Sequence, residues 1–374
     1  MRVLHVVPSL AARRGGPTVA VLGAARHLAE RGVEVELVST RADLEDGEEV
    51  ALCAALDGVA RLTLVDTFGP KRLELSAEVV PILWSALGRT DVVHVHTVFT
   101  FPVAVVPMLA RLRRVPVVIR PAGTLDRVCL ADGPARQKAW AVRAWVRPNL
   151  ALAAAVHATS DAEAAELARF CDPKHIQVIP HGVDLPSLTP RIPNARFRIG
   201  TLGRLDPIKR VERVIEAAAR LSNVELAIAG DGEPAYVAEL RAYADRLGIP
   251  TEWLGHLDGE SKAAFWSSCD AVVFASRSES FGLAAAEAAA AACAIVTTPA
   301  VALAAELTAH SAGLVTSADP GALALALGRL RDSPSLRQEL GHSARALCQA
   351  AWSWPAVAAQ LEGLYQSVLG DRPA

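Results

Sequence analysis

Apolar positions along this chain follow two alternating patterns. Short β-branched runs of strand length are separated by longer alanine- and leucine-rich stretches with helical spacing, which predicts βα units on a parallel sheet. In the first half the predicted strands are 3–7, 33–39, 60–64, 92–95, 117–119, 156–158 and 177–179. Helices are predicted at 18–30, 76–87, 134–146 and 161–170, the last with Asp161 as N-cap and Ser160 competing for that role. Between Asp184 and Arg196 the periodicity stops and Pro186, Pro190 and Pro193 appear, the composition of a linker. A second series follows, with strands predicted at 197–202, 224–229, 251–254, 271–274 and 294–297. The pattern therefore predicts an α/β chain of two doubly wound domains, 1–185 and 197–351, joined by a linker at 186–196. Open parallel sheets bind ligands at the carboxyl ends of their strands, so two such edges facing each other would form an interdomain cleft.

Composition narrows the class. At 374 residues the chain exceeds what one core usually holds, in keeping with two domains. A net charge of −2 gives no polyanion signal, so nucleic acid is not an expected partner. The six cysteines are scattered without a C-x-x-C pair, which fits a reducing, cytoplasmic setting. The opening Met1-Arg2-Val3-Leu4-His5 runs straight into a strand pattern, so no signal peptide is read there. The most apolar region, 283–307, is interrupted by Glu287, Pro299 and Glu306, so no spanning helix is expected.

Chemistry concentrates at predicted strand ends. Ser276 to Ala292 carries Glu279 and Glu287 eight positions apart, with Phe281-Gly282-Leu283 between them at a predicted helix start. Glycine lets the backbone approach a ligand, and exposed amides at a helix start attract anions. Two acids around such a start suit a hydroxyl-rich ligand that also carries phosphate, as a sugar nucleotide does. Arg204 and Lys209, in Gly203-Arg204-Leu205-Asp206-Pro207-Ile208-Lys209, follow the first strand of the second domain; they read as a fork and a point charge converging on a diphosphate, or as two solvated cations. Gly15-Gly16-Pro17-Thr18 opens the first helix with amides that can point at a phosphate, or is an ordinary turn. His94 and His96 share one strand face, but no third ligand has metal-site spacing, so His96 is read as lining the cleft and no metal is expected. From Ala135 to Pro148 arginines and Lys138 alternate with Trp140 and Trp145, and Arg136, Trp140, Arg143 and Arg147 share a face at helical spacing. That helix reads as solvated with snorkelling arginines; peripheral contact with an anionic inner membrane face is the alternative.

In their order and spacing these motifs resemble the retaining glycosyltransferases of the GT-B fold, family 4 (group 1), over nearly the whole chain. Residues 276–296 are similar to that family's E-x7-E signature, 203–209 to its G-R-L-x-x-x-K clamp and 179–184 (Ile-Pro-His-Gly-Val-Asp) to I-P-N-G-V-D. Trp352-Ser353-Trp354 resembles the F-S-W that opens the last helix, here 352–374, which in this fold crosses back to the N-terminal domain. The resemblance implies two Rossmann-like domains, a nucleoside diphosphate sugar (UDP or GDP) as donor and a glycan or lipid-linked acceptor, with no cofactor. It implies that Arg204 and Lys209 hold the diphosphate with the Gly15-Gly16 amides, and that Glu287 takes the ribose. It gives Glu279 the transferred sugar, the Phe281-Gly282-Leu283 backbone the sugar and distal phosphate, and the segment at His256 the base. Positive charge at the diphosphate would then stabilise the leaving group in place of a metal.

Three departures stand out. Ala122, in Arg120-Pro121-Ala122-Gly123-Thr124-Leu125-Asp126, occupies the place of a family histidine that meets the donor sugar, although a subgroup with R-P-x-G-x-L-D is closer to this segment. Ala292 and Ala294 replace a glycine and a proline, and His181 replaces an asparagine. The alternative function is therefore a sugar-nucleotide-binding protein or partner subunit with impaired catalysis.

Overall fold

The computed structural model describes residues 1–70, 73–188 and 194–370. It forms two compact units, Met1–Gly182 with Trp354–Ala374, and Val183–Ser353. Within the predicted linker, residues 189–193, including Pro190 and Pro193, lie outside the described residues, as do 371–374 of the predicted last segment.

Among the described residues the first unit holds seven strands: β1 (Arg2–Ser9), β2 (Glu34–Thr40), β3 (Ala60–Val65), β4 (Val92–His96), β5 (Val117–Arg120), β6 (Ala155–Ala158) and β7 (Ile176–Val178). They lie in the order β3-β2-β1-β4-β5-β6-β7, every pair parallel. A parallel sheet needs both faces covered. One face carries Val95, Ile119 and Val156, packed under the helices Val79–Leu87 and Phe101–Arg113. The other carries Val3, Val7, Val118 and Ala155, packed under Gly16–Glu30 and Trp354–Gly370. Those two helices meet closely: a Cβ on Gly23 would fall 1.9 Å from the Trp354 ring.

In the second unit β8 (Phe197–Leu202), β9 (Val224–Ala229), β10 (Thr251–Gly255), β11 (Ala271–Phe274), β12 (Ile295–Thr297) and β13 (Leu314–Val315) form an all-parallel sheet ordered β10-β9-β8-β11-β12-β13. Twelve of the thirteen strands lie where the sequence pattern puts them, to within two residues at either end. The exception, β13, is two residues long and leaves no periodic signal. Glu48–Leu56 and Phe101–Arg113 are helices the pattern does not reveal. The second begins Phe-Pro-Val-Ala-Val-Val-Pro, with Pro102 at its start and Pro107 inside it, and such a run reads as irregular or extended. Between the two candidate caps of Asp161–Leu167, Ser160 takes the role: it has extended backbone and its hydroxyl accepts from the Glu163 N–H at 3.1 Å. Among the described residues no helix is long and apolar enough to cross a membrane.

Each sheet reverses its strand order once, between β1 and β4 in the first unit and between β8 and β11 in the second. A crevice opens at such a reversal because the loops on its two sides run to opposite faces. The loops after these four strands carry most of the residues singled out in the sequence.

Candidate functional site

In the second unit, Arg204 follows β8 with a side chain 66% exposed, its nearest carboxylate Asp206 at 4.0 Å. Asp206 caps the short turn Pro207–Lys209 by accepting from the Ile208 N–H at 3.0 Å. That turn aims Lys209 at the loop after β11, where its Nζ lies 2.9 Å from Glu279 Oε1. Ser276 Oγ donates to the same oxygen at 2.6 Å. The loop is held by its backbone, with Arg277 N–H donating to Ile208 O at 2.7 Å and Glu279 N–H to Ala300 O at 3.0 Å. Gly203, Arg204, Lys209 and Ser276 line a single shallow recess.

The helix Leu283–Ala290 starts directly beyond this loop. Gly282 caps it at φ 101°, and a Cβ there would lie 2.8 Å from Val301 Cγ1, so conformation and space both call for glycine. Phe281 turns its ring into the core, edge-on to Trp352, and leaves only its backbone at the helix start beside Leu283. The first amides of the helix have no acceptor within it. Glu287 lies one turn in, and its Oε1 receives Lys262 Nζ at 2.9 Å. Burial raises the Glu287 carboxyl above its ordinary value, while the Lys262 ammonium opposes that rise. In both glutamates the bonds fall on Oε1, and Oε2 has no hydrogen-bond partner among the described residues.

Lys262 carries no signal in the sequence, because it stands on the separate helix Gly259–Ser268 and meets Glu287 only through the fold. Ser276 was legible only as part of a Ser-rich loop. His256 is not gathered in. It is exposed after β10, and the recess on that side is lined by Gly230, Asp231, Gly232, Trp253 and Gly255 instead.

In the first unit, Gly15 has φ 65° and precedes the helix Gly16–Glu30. Its N–H already donates to Ala12 O at 2.8 Å, closing the turn 12–14. This corrects the expectation for Gly15: Pro17 has no N–H and Val19 N–H donates to Gly15 O at 3.2 Å, so at this helix start only the Gly16 and Thr18 amides are without a backbone partner among the described residues. His96 is also corrected. It is 2% exposed, and its Nε2 lies 2.8 Å from Nδ1 of His5, so it is a core residue and not a wall of an open cleft. Local spacing hides this partner, which arrives because β1 pairs with β4 and sets His5 opposite His94.

His5, His94 and His96 place ring nitrogens within 4.8 Å of one another, the third potential ligand that spacing alone did not supply. Both nitrogens of His94 are in use, however. The Ile179 carbonyl can only accept, so His157 Nε2, 2.7 Å away, carries a proton and His157 Nδ1 accepts. His94 Nε2 therefore donates across 3.3 Å to His157, and Tyr365 Oη donates to His94 Nδ1 at 2.8 Å. Three neutral side chains thus tie the C-terminal helix to the sheet.

The predicted helix 134–146 is broken as Ala135–Ala141, a π-helical turn Val142–Val146 and Arg147–Leu152. The wider turn takes Arg147 out of line with Arg136, Trp140 and Arg143. Its guanidinium lies over Phe170 and donates to Arg169 O at 2.9 Å. Trp145 is anchored through Nε1 to Val98 O at 2.9 Å, and Trp140 is 66% exposed. Lys138 is held by the carbonyls of Cys129 and Asp132.

Comparison with known proteins gives this geometry a family. Residues 189–347 match the family model for glycosyl transferases group 1, and residues 14–186 match that for glycosyltransferase family 4. A D-inositol 3-phosphate glycosyltransferase of Xylanimonas cellulosilytica is 30% identical over 96% of this chain and 93% of its own. The MMP alpha-(1->4)-mannosyltransferase of Mycolicibacterium hassiacum is 35% identical over 53% of this chain and 49% of its own. Among solved structures, HepE of Anabaena in complex with UDP and glucose superposes with a TM-score of 0.79 at 20% identity, covering 98% of this chain and 100% of that one. Sucrose-phosphate synthase of Thermosynechococcus elongatus gives the same TM-score at 20% identity, covering all of both chains. The two sheets with their reversal points, the matched families and the relatives agree: the chain belongs to the GT-B glycosyltransferases of family 4, group 1.

Proposed function

We propose that this protein transfers a sugar from a nucleoside diphosphate sugar to a glycan or lipid-linked acceptor, with retention at the anomeric carbon. The observation that carries the reading is the state of the two glutamates. Each holds a lysine on Oε1 and keeps Oε2 for a ligand, one on either side of a helix start with open amides. In this reading Glu287 accepts from the ribose hydroxyls and Glu279 from a hydroxyl of the transferred sugar. Arg204 and Lys209 take the diphosphate, and the helix amides at Gly282 and Leu283 take its distal end. Negative charge grows on the diphosphate as the glycosidic bond breaks, and two cations fixed beside it favour that state over the ground state. The departing phosphate oxygen then removes the proton of the acceptor hydroxyl, which attacks from the same face. The names of the relatives support a sugar nucleotide as donor: one is an inositol-phosphate glycosyltransferase, another a mannosyltransferase, and the Anabaena structure holds UDP and glucose.

The test is nucleotide release from a panel of UDP- and GDP-sugars. Because a charged hydrogen bond contributes about 1.5–3 kcal/mol, Glu287→Ala or Arg204→Ala should weaken nucleotide binding by about ten- to a hundredfold. Glu279→Ala should chiefly slow transfer. Unchanged nucleotide affinity in the first two variants would refute the assignment. A second reading, binding without catalysis, is favoured by one observation. Ala122 holds φ 54°, a left-handed position that a histidine tolerates better, and offers only a methyl group there. Tight binding without turnover, with acceptors supplied, would establish it.

A further inference from the structure

Glu279 is fixed in its main chain and free only in its side chain. Its N–H donates to Ala300 O at 3.0 Å and its carbonyl accepts from the Ala302 N–H at 3.2 Å, so a parallel bridge to Val301 clamps both sides of the residue. Thr297 and Thr298, at the end of β12, hold the segment that leads to it. Their hydroxyls donate to the carbonyls of Phe274 at 3.1 Å and Ser276 at 3.5 Å. The direction of the carboxylate is then left to two side-chain donors on Oε1, Lys209 Nζ at 2.9 Å and Ser276 Oγ at 2.6 Å. With Oε1 held there, Oε2 faces the helix start, where a Cβ on Gly282 would lie 3.6 Å from it.

The two donors are not equivalent. Lys209 is 25% exposed and lines the recess beside Arg204. Its ammonium is a point charge on a flexible four-carbon stem. A diphosphate bound beside Arg204 attracts it, and does so more strongly as the leaving group gains negative charge. The lysine's hold on Glu279 therefore weakens at the step in which the carboxylate has to stand still. Ser276 is 2% exposed just beyond β11, and its hydroxyl proton goes to Glu279. A short side chain sealed at a strand end cannot follow the diphosphate.

We propose that Ser276 is a positioning residue for transfer: its hydroxyl keeps Glu279 Oε1 in place while Lys209 turns to the departing diphosphate, so that Oε2 stays on the sugar. This rests on the reading in which Lys209 takes the diphosphate and Glu279 the transferred sugar. Ser276 touches neither in this role and acts only through Glu279. Its contribution belongs to the transition state, so its removal lowers kcat and leaves nucleotide affinity alone.

The test is a double-mutant cycle on the full chain. It reads nucleotide release from whichever UDP- or GDP-sugar turns over fastest, and calorimetric affinity for UDP or GDP. Ser276→Ala should lower kcat about tenfold, the contribution of one hydrogen bond to a charged group, with nucleotide affinity unchanged. Ser276→Thr, which keeps the hydroxyl, should retain most of the rate. Ser276→Cys, close in size but a weak donor, should match Ser276→Ala and stands in for it if that variant does not fold. In a Glu279→Ala background, Ser276→Ala should cost nothing further. A serine that only supports the loop would lose rate by the same factor in both backgrounds; that result overturns the proposal, as does an unchanged kcat in Ser276→Ala. A fall in nucleotide affinity with kcat intact would place Ser276 on the donor itself and overturn it equally. Failure of the underlying reading shows separately and takes the proposal with it: Glu279→Ala then transfers sugar at the full rate, or no sugar nucleotide is turned over at all.

Discussion

Glu287 sits deep enough for burial to raise its carboxyl, and the Lys262 ammonium at 2.9 Å acts to keep it ionised. If ribose hydroxyls donate to that carboxylate, Lys262 governs affinity without touching the nucleotide. Lys262→Met should lower nucleotide affinity and make it recover as pH rises and Glu287 ionises, because burial then raises the carboxyl with no ammonium opposing it, whereas the unsubstituted chain should respond less to pH. Calorimetric titration across pH checks this; a loss of equal size at every pH would mean that Lys262 meets the ligand directly. The glutamate pair itself was legible, since a glycine flanked by acids eight positions apart has few structural reasons to exist. The lysine was not, because its partner stands 25 positions away on another helix. Ala292 shows the same limit from the other side. The family's glycine there is explained by φ 55° after the helix Leu283–Ala290, a conformation the sequence does not display.

At the scale of elements, the cap of Asp161–Leu167 separates two readings of adjacent residues. Ser160→Ala should destabilise the first unit by about 1 kcal/mol, the usual cost of losing a side-chain cap, while Asp161→Ala should remove only a dipole contribution of about 0.3–1 kcal/mol. Urea midpoints of the two variants decide between them, and a larger loss from Asp161→Ala would contradict the observed geometry. Strands were legible because β-branched runs such as Val92–His96 are buried on both faces and need no alternation. Helices were legible where alanine and leucine repeat, as in Gly16–Glu30, and not where prolines and valines build Phe101–Arg113, whose stability comes from burying Val103, Val106, Leu109 and Ala110. The histidine cluster was half legible. His94 and His96 alternate visibly, but His5 joins them only through the β1–β4 pairing.

Across the whole molecule, burial of bases predicts a lopsided response to acid. Burial, with Arg120's charge added, pushes His5 and His157 down to about 3, and holds His94, His96 and His181 well below 6.5. Each is neutral when folded and takes a proton on unfolding below about pH 6.5, so stability falls with pH by about 1.4 kcal/mol per unit for each such group. Glu74, raised to about 7 by burial, acts oppositely between that value and its ordinary 4.5, because its folded form binds the proton more readily. Five histidines against one carboxyl leave a net loss, confined to the first unit. Calorimetry between about pH 7 and 5 should show one transition moving down while that of the second unit holds, its raised Glu287 working in the opposite sense; two transitions moving together would contradict this. The chain path has a further consequence. It leaves the first unit at Gly182 and returns at Trp354, and a Cβ on Gly182 would lie 2.1 Å from the Trp354 ring. The second unit's own ends, Val183 and Ser353, are bridged to each other. Topologically the second unit is an insertion between neighbouring points of the first, so residues 183–353 can be excised and Gly182 rejoined to Trp354 by a few glycines. The rejoined chain should fold, while 1–182 alone, with Val3, Val7 and Val118 stripped of their covering helix, should aggregate.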